Sequence, residues 1–210
     1  MSTQEGHQNI VEELLAKPDA ALVVEEVRTR LAEEKQKRDE YYGLIHENIK
    51  AEFINGEIIY QSPVKRKHWK ISARLSARLI QYVDDHDLGE VGVEKVMVSL
   101  SRNDYEPDIC FFTKAKSQHF SRDQMHFPAP DFIVEILSES TENVDRKVKY
   151  NDYAAHGVEE YWIIDPDMET IEQYFSENRI FRLNVKLAGS GIIKSRSIKG
   201  FEMDIAALFV

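Results

Sequence analysis

Residues 131–153 read DFIVEILSESTENVDRKVKYNDY, and this stretch places a glutamate inside an apolar strand. Glu135 lies in the run FIVEIL, which is otherwise typical of a buried strand. Removing a lone carboxylate from water is costly unless it is paired, protonated or bound to a metal. The residues that can reach Glu135 therefore decide the chemistry of the chain, and the elements on either side decide its fold.

The bulk composition sets outer limits on the class of protein. The chain has 210 residues, of which 42% are hydrophobic, and this suits one sizeable domain with a short appendage. We find no secretory signal and no apolar run near the roughly 18–20 residues that span a bilayer, so we expect no membrane partner. A single cysteine, Cys110, suits a reducing cytoplasm. The net charge of -10 argues against a broad nucleic-acid coat but leaves room for a local basic patch.

Residues 1–45 are predicted to form a helical N-terminal extension. Pro18 separates a short helix from a longer one, which is rich in charged residues. One interpretation is a solvated amphipathic helix packed on its own domain, and the other is a dimerisation arm. We expect a homodimer held partly through the apolar side chains of this extension, which are Leu22, Val23, Val27 and Leu31.

Residues 46–210 are predicted to form the main domain, a mixed central sheet flanked by helices, of the α/β (α+β) class. Asn55-Gly56 between alternating apolar residues predicts a hairpin, and the tail predicts shorter strands. The other predicted elements are the helix KRKHWKISARLSARLIQYVDDH, the strands VGVEKVMVSL, EPDICFF, PDFIVEIL and EEYWIID, and the helix STENVDRKVKYNDYAAHG.

Two carboxylates are predicted to share one sheet. Glu135 faces the same way as Ile133 and Leu137 in its strand, and Asp108 begins another apolar strand after a proline. Carboxylates on neighbouring strands can converge on Mg²⁺. The alternative is that Asp108 caps a strand and Glu135 pairs with a cation such as Arg146.

The following helix adds a cation to this pair. Asp145, Lys149 and Tyr153 are spaced four apart, so they line one helical face. A face bordering the apolar stripe of that helix can direct Lys149 over the strand end that carries Glu135. The alternative is an exposed pair between Asp145 and Lys149.

These motifs together resemble the Uma-two family of restriction endonucleases, a branch of the PD-(D/E)XK nuclease superfamily. The resemblance covers roughly residues 45–210, and its motifs are PD at 107–108, PDFIVEILSEST at 130–141, Asp145, Lys149, Tyr153 and GVEEYWIIDP at 157–166. It implies a restriction-endonuclease-like fold and an endonuclease that hydrolyses DNA with Mg²⁺ or Mn²⁺. The implied catalytic residues are Asp108, Glu135 and Lys149, and the implied metal ligands are Asp108, Glu135 and Ile136.

One position departs from the superfamily pattern. The superfamily usually places its lysine two residues after the motif acid, where this chain has Leu137. In the Uma-two family the lysine comes from the next helix, which matches Lys149. The alternative function is a catalytically inactive member of the fold that acts as a binding or assembly module.

Further residues have supporting roles by the same resemblance. Glu52 is an additional metal ligand or a solvated glutamate at a strand edge. His68 contacts phosphate or supports the site, or else it is a capping or core histidine. Asp145 and Tyr153 are expected beside the catalytic residues. A basic stripe, either a DNA contact or a solvated helix face, consists of Arg66, Lys70, Arg74 and Arg78.

Overall fold

In the computed structural model, residues 3–46 and 49–210 are described, and their largest sheet carries packed elements on both faces. The helices are α1 (Thr3–Leu15), α2 (Ala20–Leu44), α3 (Arg66–Asp85), α4 (Lys114–Ser117), α5 (Tyr150–Ala155) and α6 (Ala206–Phe209). The strands are β1 (Ala51–Ile54), β2 (Glu57–Tyr60), β3 (Gly89–Val93), β4 (Met97–Ser99), β5 (Asp104–Tyr105), β6 (Ile109–Thr113), β7 (His126–Phe127), β8 (Phe132–Ile136), β9 (Glu160–Asp165), β10 (Thr170–Glu177), β11 (Ile180–Ala188), β12 (Ile192–Lys194) and β13 (Glu202–Asp204). Across these described ranges no helix is long and apolar enough to cross a membrane.

The central sheet is mixed, as the sequence predicts. Its six strands run in the order β11-β10-β9-β8-β6-β3. Strands β8 and β9 are parallel, and the other neighbouring pairs are antiparallel. With the flanking helices and the N-terminal helices, this arrangement confirms the α/β class.

Strand β8 lies at the centre of the core because both of its faces are covered. Phe132, Val134 and Ile136 pack in one cluster with the apolar face of α3. Ile133 and Leu137 pack in a second cluster with Tyr153 of α5. The alternation of a strand therefore aims Glu135 at the α5 side of the sheet.

The hairpin that precedes α3 is confirmed in position and turn type. Asn55 (φ 51°) and Gly56 (φ 84°) both adopt left-handed backbone, which a two-residue type I′ turn requires. Ala51 pairs with Tyr60 and Ile54 with Glu57 across it. The register places Glu52 on β1, which belongs to a second sheet of order β2-β1-β5-β4-β7.

The expectation that VGVEKVMVSL forms a single strand is wrong. Glu94 (φ 48°) and Lys95 (φ 46°) adopt left-handed backbone and break it into β3 and β4. Strand β3 pairs with β6 in the central sheet, whereas β4 joins the second sheet. A continuous apolar pattern cannot show that a strand changes sheet at a turn. The tail also differs from the expected short strands, since β10 and β11 have 8 and 9 residues.

The helix predicted after β8 has two kinds of backbone. Residues Val144–Lys149 form a π-helical segment, and α5 continues from Tyr150. Short π-helical segments are rare in proteins, and those that occur are often found at functional sites. Both Asp145 and Lys149 lie in this segment and are buried.

Helix α2 is anchored at its C-terminal end. Arg38 donates to both carboxylate oxygens of Asp104, at 2.6 and 2.8 Å, and Asp104 is fully buried. Tyr41 is also fully buried and donates to the Ala51 carbonyl at 2.7 Å. The N-terminal part of α2 lacks such anchors, and Leu22, Val27 and Leu31 are exposed.

Arg38→Ala should destabilise the fold strongly because it leaves the buried Asp104 carboxylate without its cation. Removing one partner of a buried pair costs about 3–5 kcal/mol. Arg30→Ala is the matched control, since Arg30 forms an exposed pair with Glu26 on the same helix, and it should change stability by less than about 1 kcal/mol. Urea unfolding measures both changes, and equal losses in the two variants would contradict the anchoring role.

Candidate active site

A pocket of about 290 Å³ opens at the edge of the central sheet where β8 ends and β6 begins. Its lining includes His68, Asp108, Glu135 and Lys149. With Ile136 and Asp145, six of the residues singled out by sequence line this one cavity.

The strand register brings Asp108 and Glu135 together. Ile109 pairs with Val134 across the antiparallel β6–β8 pair, so the next pair along is Asp108 and Glu135. Opposed residues of an antiparallel pair project to the same face. Asp108 is held in place because its Oδ2 accepts a hydrogen bond from the Ile136 backbone N–H at 2.7 Å.

Lys149 lies among three buried carboxylates. Its Nζ is 2.9 Å from Glu52 Oε1, 3.0 Å from Glu135 Oε1 and 3.2 Å from Asp145 Oδ1. The exposed fraction of the Lys149 side chain is 3%. One positive charge therefore faces three acidic groups that burial has removed from water.

Neighbouring groups fix the orientation of these carboxylates. Tyr153 donates from its hydroxyl to Glu135 Oε1 at 2.9 Å, so both hydrogen bonds from Tyr153 and Lys149 end on the same oxygen. Glu52 accepts the Glu106 backbone N–H at 2.8 Å and the Gln61 side-chain amide at 3.0 Å. The cluster thus joins the central sheet, the second sheet and the π-helical segment.

The local electrostatics favour a protonated acid in this cluster. Burial raises the pKa of Glu135 well above its usual value; the Lys149 charge opposes this, and Asp145, Asp108 and Glu52 add to it. Burial likewise raises the pKa of Asp145. Burial lowers the pKa of Lys149, but Glu135, Glu52 and Asp145 outweigh it and the net shift is upward. These shifts favour the charged form of Lys149 and disfavour full ionisation of the acids around it.

Two of the simpler alternatives are wrong for this chain, and the alternative for Glu135 is right in part. Glu135 pairs with a cation, but that cation is Lys149, and Arg146 pairs with Glu142 and Glu172 instead. The contact between Asp145 and Lys149 is buried rather than exposed. Glu52 is 2% exposed, so it is not a solvated glutamate at a strand edge.

His68 lies against Asp108 on the α3 side of the pocket. Its Nε2 is 3.3 Å from Asp108 Oδ2, and its Nδ1 has no hydrogen-bond partner within residues 3–46 and 49–210. Burial lowers the pKa of His68, but the hydrogen bond and charge of Asp108 outweigh it and the net shift is upward. The contact places His68 where it can orient Asp108.

The basic stripe on α3 lies outside the pocket lining. Lys70 donates to the Val210 carbonyl at 3.1 Å, Arg74 to the Leu208 carbonyl at 3.0 Å, and Arg78 to the carbonyl of Arg74. Arg66 is exposed at the start of the helix. Two members of the stripe therefore hold the C-terminal segment, and DNA contact through the stripe stays a prediction.

Glu106 is a pocket residue that the sequence reasoning missed. It is 6% exposed, and its Oε2 has no hydrogen-bond partner in the described part of the chain. Burial raises its pKa to about 7, with Lys50 opposing the shift and Glu52 adding to it. The available signal was its position two residues before Asp108 in EPD.

The residues present fit a hard divalent cation. Asp108 and Glu135 offer carboxylate oxygens, Ile136 offers its backbone carbonyl, and the excess negative charge around Lys149 calls for a cation. Mg²⁺ is typically held by one or two carboxylates, with water and substrate oxygens completing its shell. Within the ranges 3–46 and 49–210, no group of three or more His, Cys, Asp or Glu is arranged to hold a metal ion.

A family model described as "Putative restriction endonuclease" matches residues 38–206. The chain belongs to the Uma2 family, which is the Uma-two family that its motifs resemble. The "Uncharacterized protein sll1609" of Synechocystis sp. (strain PCC 6803) is 27% identical over 128 residues, which are 60% of this chain and 71% of that protein.

A solved structure shares the fold of this Uma2 chain. It is the crystal structure of a "putative nuclease belonging to DUF820" from Anabaena variabilis ATCC 29413. The TM-score is 0.69 at 21% identity, over 81% of this chain and 96% of the other. The match confirms the predicted fold, and its coverage shows that most of the Uma2 chain takes part in that fold.

Glu106→Gln should change the pH dependence of stability. The folded-state pKa of Glu106, about 7, lies above the unfolded value near 4.3. The folded protein therefore keeps a proton that the unfolded chain releases, and wild type loses this stability as pH rises from about 4.3 to about 7. The melting temperature of the variant should rise relative to wild type across that window and level off above it.

The exposed Glu177 provides the control, because Glu177→Gln should leave the difference from wild type constant over the same pH range. Melting followed by circular dichroism from pH 4 to pH 9 measures both. A constant difference for Glu106→Gln would show that its carboxyl is solvated.

Proposed function

We propose that this protein is a metal-dependent endonuclease that hydrolyses phosphodiester bonds in DNA with Mg²⁺ or Mn²⁺. The observation that carries the proposal is the buried Lys149 among Glu52, Glu135 and Asp145, beside Asp108 at the wall of one pocket. Membership of the Uma2 family, whose model is described as "Putative restriction endonuclease", supports the same reaction class.

Asp108, Glu135 and the Ile136 carbonyl would hold the cation. When bound, the cation acts as a Lewis acid on the phosphate and lowers the pKa of an attacking water. Lys149 contributes a fixed positive charge that stabilises negative charge developing on the phosphate. Tyr153 fixes the Glu135 carboxylate, and His68 orients Asp108.

The energetics favour an enzyme over an inactive module. A buried set of charges is often less stable than apolar residues of similar volume. A scaffold would gain by replacing Lys149 and its carboxylates with apolar side chains, since the surrounding cluster already contains Ile133, Leu137 and Val158. Retaining three acids around one lysine is explained by a ligand that needs them.

Glu135→Gln should abolish Mg²⁺-dependent DNA cleavage while leaving the fold intact. The amide oxygen can still accept from Lys149 and Tyr153, and Lys149 keeps Glu52 and Asp145 as partners. Because a metal ligand is lost, activity should fall by more than the roughly 10–100-fold typical of changes around the ligands. The apo melting temperature should be unchanged or higher.

Cleavage of plasmid DNA, calorimetric Mn²⁺ titration and thermal melting test the three parts of this expectation. The exposed Glu177→Gln variant should match wild type in all three. A clear drop in melting temperature for Glu135→Gln, with Mn²⁺ binding unchanged, would identify Glu135 as a structural partner of Lys149.

We further propose a homodimer formed through α2. Of the apolar residues expected at the interface, Val27 and Leu31 lie on one face of α2 with Ala20 and Val24, whereas Leu22 and Val23 fall outside this spacing. The intervals of four and three continue to Glu34, Arg38 and Tyr41. The latter three contact the main domain. The face that docks on the domain thus continues as an apolar seam, and a second copy of α2 would cover it in the manner of a coiled coil.

Val27→Glu with Leu31→Glu should convert the dimer to a monomer, because the charges would face each other across the seam. Both side chains are exposed, at 49% and 43%, so the fold of each chain should persist. Leu183→Glu is the control, since Leu183 is a similarly exposed residue on β11. Light scattering that gives a wild-type monomer, or an unchanged dimer in the variant, would contradict this interface.

DNA is the proposed partner, and a cytoplasmic location is proposed with it. The free thiol of Cys110 is buried, in keeping with a reducing compartment. Because the net charge of the chain is negative, DNA binding requires a local basic surface. We expect that surface at the mouth of the pocket.

A further inference from the structure

Two lysines stand at the mouth of the pocket, each paired with an acid. Lys65 Nζ is 3.0 Å from Glu139 Oε1, and Lys67 Nζ contacts Asp167 Oδ1. All four residues line the pocket. Each pair joins the start of α3 to a loop that follows a strand of the central sheet.

The topology explains why these pairs meet over the proposed active site. Strands β8 and β9 are parallel, so the loops that follow them leave from the same edge of the sheet. Glu139 and Asp167 belong to these two loops, and Asp108 immediately precedes β6 at that edge. The pairs therefore lie beside the carboxylate cluster.

The pairs are exposed and weak. The side chains of Lys65 and Glu139 are 66% and 82% exposed, and those of Lys67 and Asp167 are 38% and 67% exposed. Exposed pairs contribute about 0–1 kcal/mol. Another anion can replace either carboxylate at little energetic cost.

The start of α3 lacks compensating negative charge of its own. Its first turn contains no acidic residue, and the side chain of its N-cap residue, Lys65, makes no capping hydrogen bond. Basic side chains at this end oppose the helix macrodipole, so an anion from elsewhere stabilises them. Glu139 and Asp167 supply that charge in the free protein.

We propose that Lys65 and Lys67 bind the backbone phosphates that flank the scissile bond. In the free protein Glu139 and Asp167 are paired with these lysines, and a nucleic-acid strand displaces them. This proposal rests on the proposed phosphodiester substrate. It assigns the phosphate-binding surface to the pocket mouth, whereas Lys70 and Arg74 of the α3 stripe donate to C-terminal carbonyls.

The test measures binding of a fluorescent 20-base-pair DNA duplex by anisotropy, with Ca²⁺ present and with gels confirming that the duplex stays intact. Removing both lysines, as Lys65→Ala with Lys67→Ala, should weaken binding and reduce the slope of log affinity against log salt by about 2, since each phosphate contact contributes about 0.9. The charge-preserving change of both lysines to arginine should restore the slope.

The opposite change should strengthen binding. Glu139→Gln with Asp167→Asn removes both competing anions and should raise affinity at low salt by up to about fivefold for each exposed pair that is lost. The matched control is the exposed pair of Lys114 and Asp87 at the far end of β6. Lys114→Ala and Asp87→Asn should leave affinity and slope unchanged.

The directions of the affinity changes in the lysine and carboxylate variants distinguish the possible outcomes. If the lysine and carboxylate variants shift affinity in the same direction, or neither shifts it, the pairs are only structural and the proposal is overturned even if wild type cleaves DNA. If wild type binds no duplex at any salt concentration, this proposal fails together with DNA as the substrate. Opposite shifts in a protein that never cleaves would support the phosphate surface and overturn the catalytic proposal alone.

Discussion

The ammonium group of Lys149 is the point on which the arrangement of the site depends. It contacts Glu52, Glu135 and Asp145, which come from three different parts of the fold. Each acid is 3% exposed or less, so none can rely on water for compensation. The second sheet, the central sheet and the helix after β8 are therefore joined through one buried positive charge, whose partners together carry more negative charge than it can neutralise.

This imbalance gives the site its chemical character. A buried pair with matched charges would be a structural element, and its partners would be satisfied. Here burial and mutual repulsion raise the pKa of both Glu135 and Asp145, while the same acids raise the pKa of Lys149. A proton on one of the acids, or a cation bound beside them, would relieve the repulsion between them. Exchange of that proton for a divalent cation would couple metal binding to pH.

The sequence predicts much of this site because its signals are local. Glu135 interrupts an apolar run, Asp108 begins the neighbouring strand, and Lys149 lies four residues from Asp145. The contacts of Glu52 could not be predicted, since β1 lies in another sheet and reaches Lys149 only through the tertiary fold. The switch of sheet at Glu94 and Lys95 was missed for a related reason: two left-handed residues leave no mark on an apolar pattern.

The position of Lys149 also explains why Leu137 is tolerated two residues after Glu135. Both residues project to the same face of the sheet, and Leu137 is 6% exposed in the apolar cluster that includes Ile133 and Tyr153. A lysine at this position would remove the packing of Leu137 and bring a second ammonium into the apolar cluster. The π-helical segment instead places Lys149 on the side of the site where Glu52 and Asp145 lie. A lysine in place of Leu137 would thus remove apolar packing and add a second positive charge. The helical segment supplies the cation instead, and the strand keeps an apolar side chain in the core.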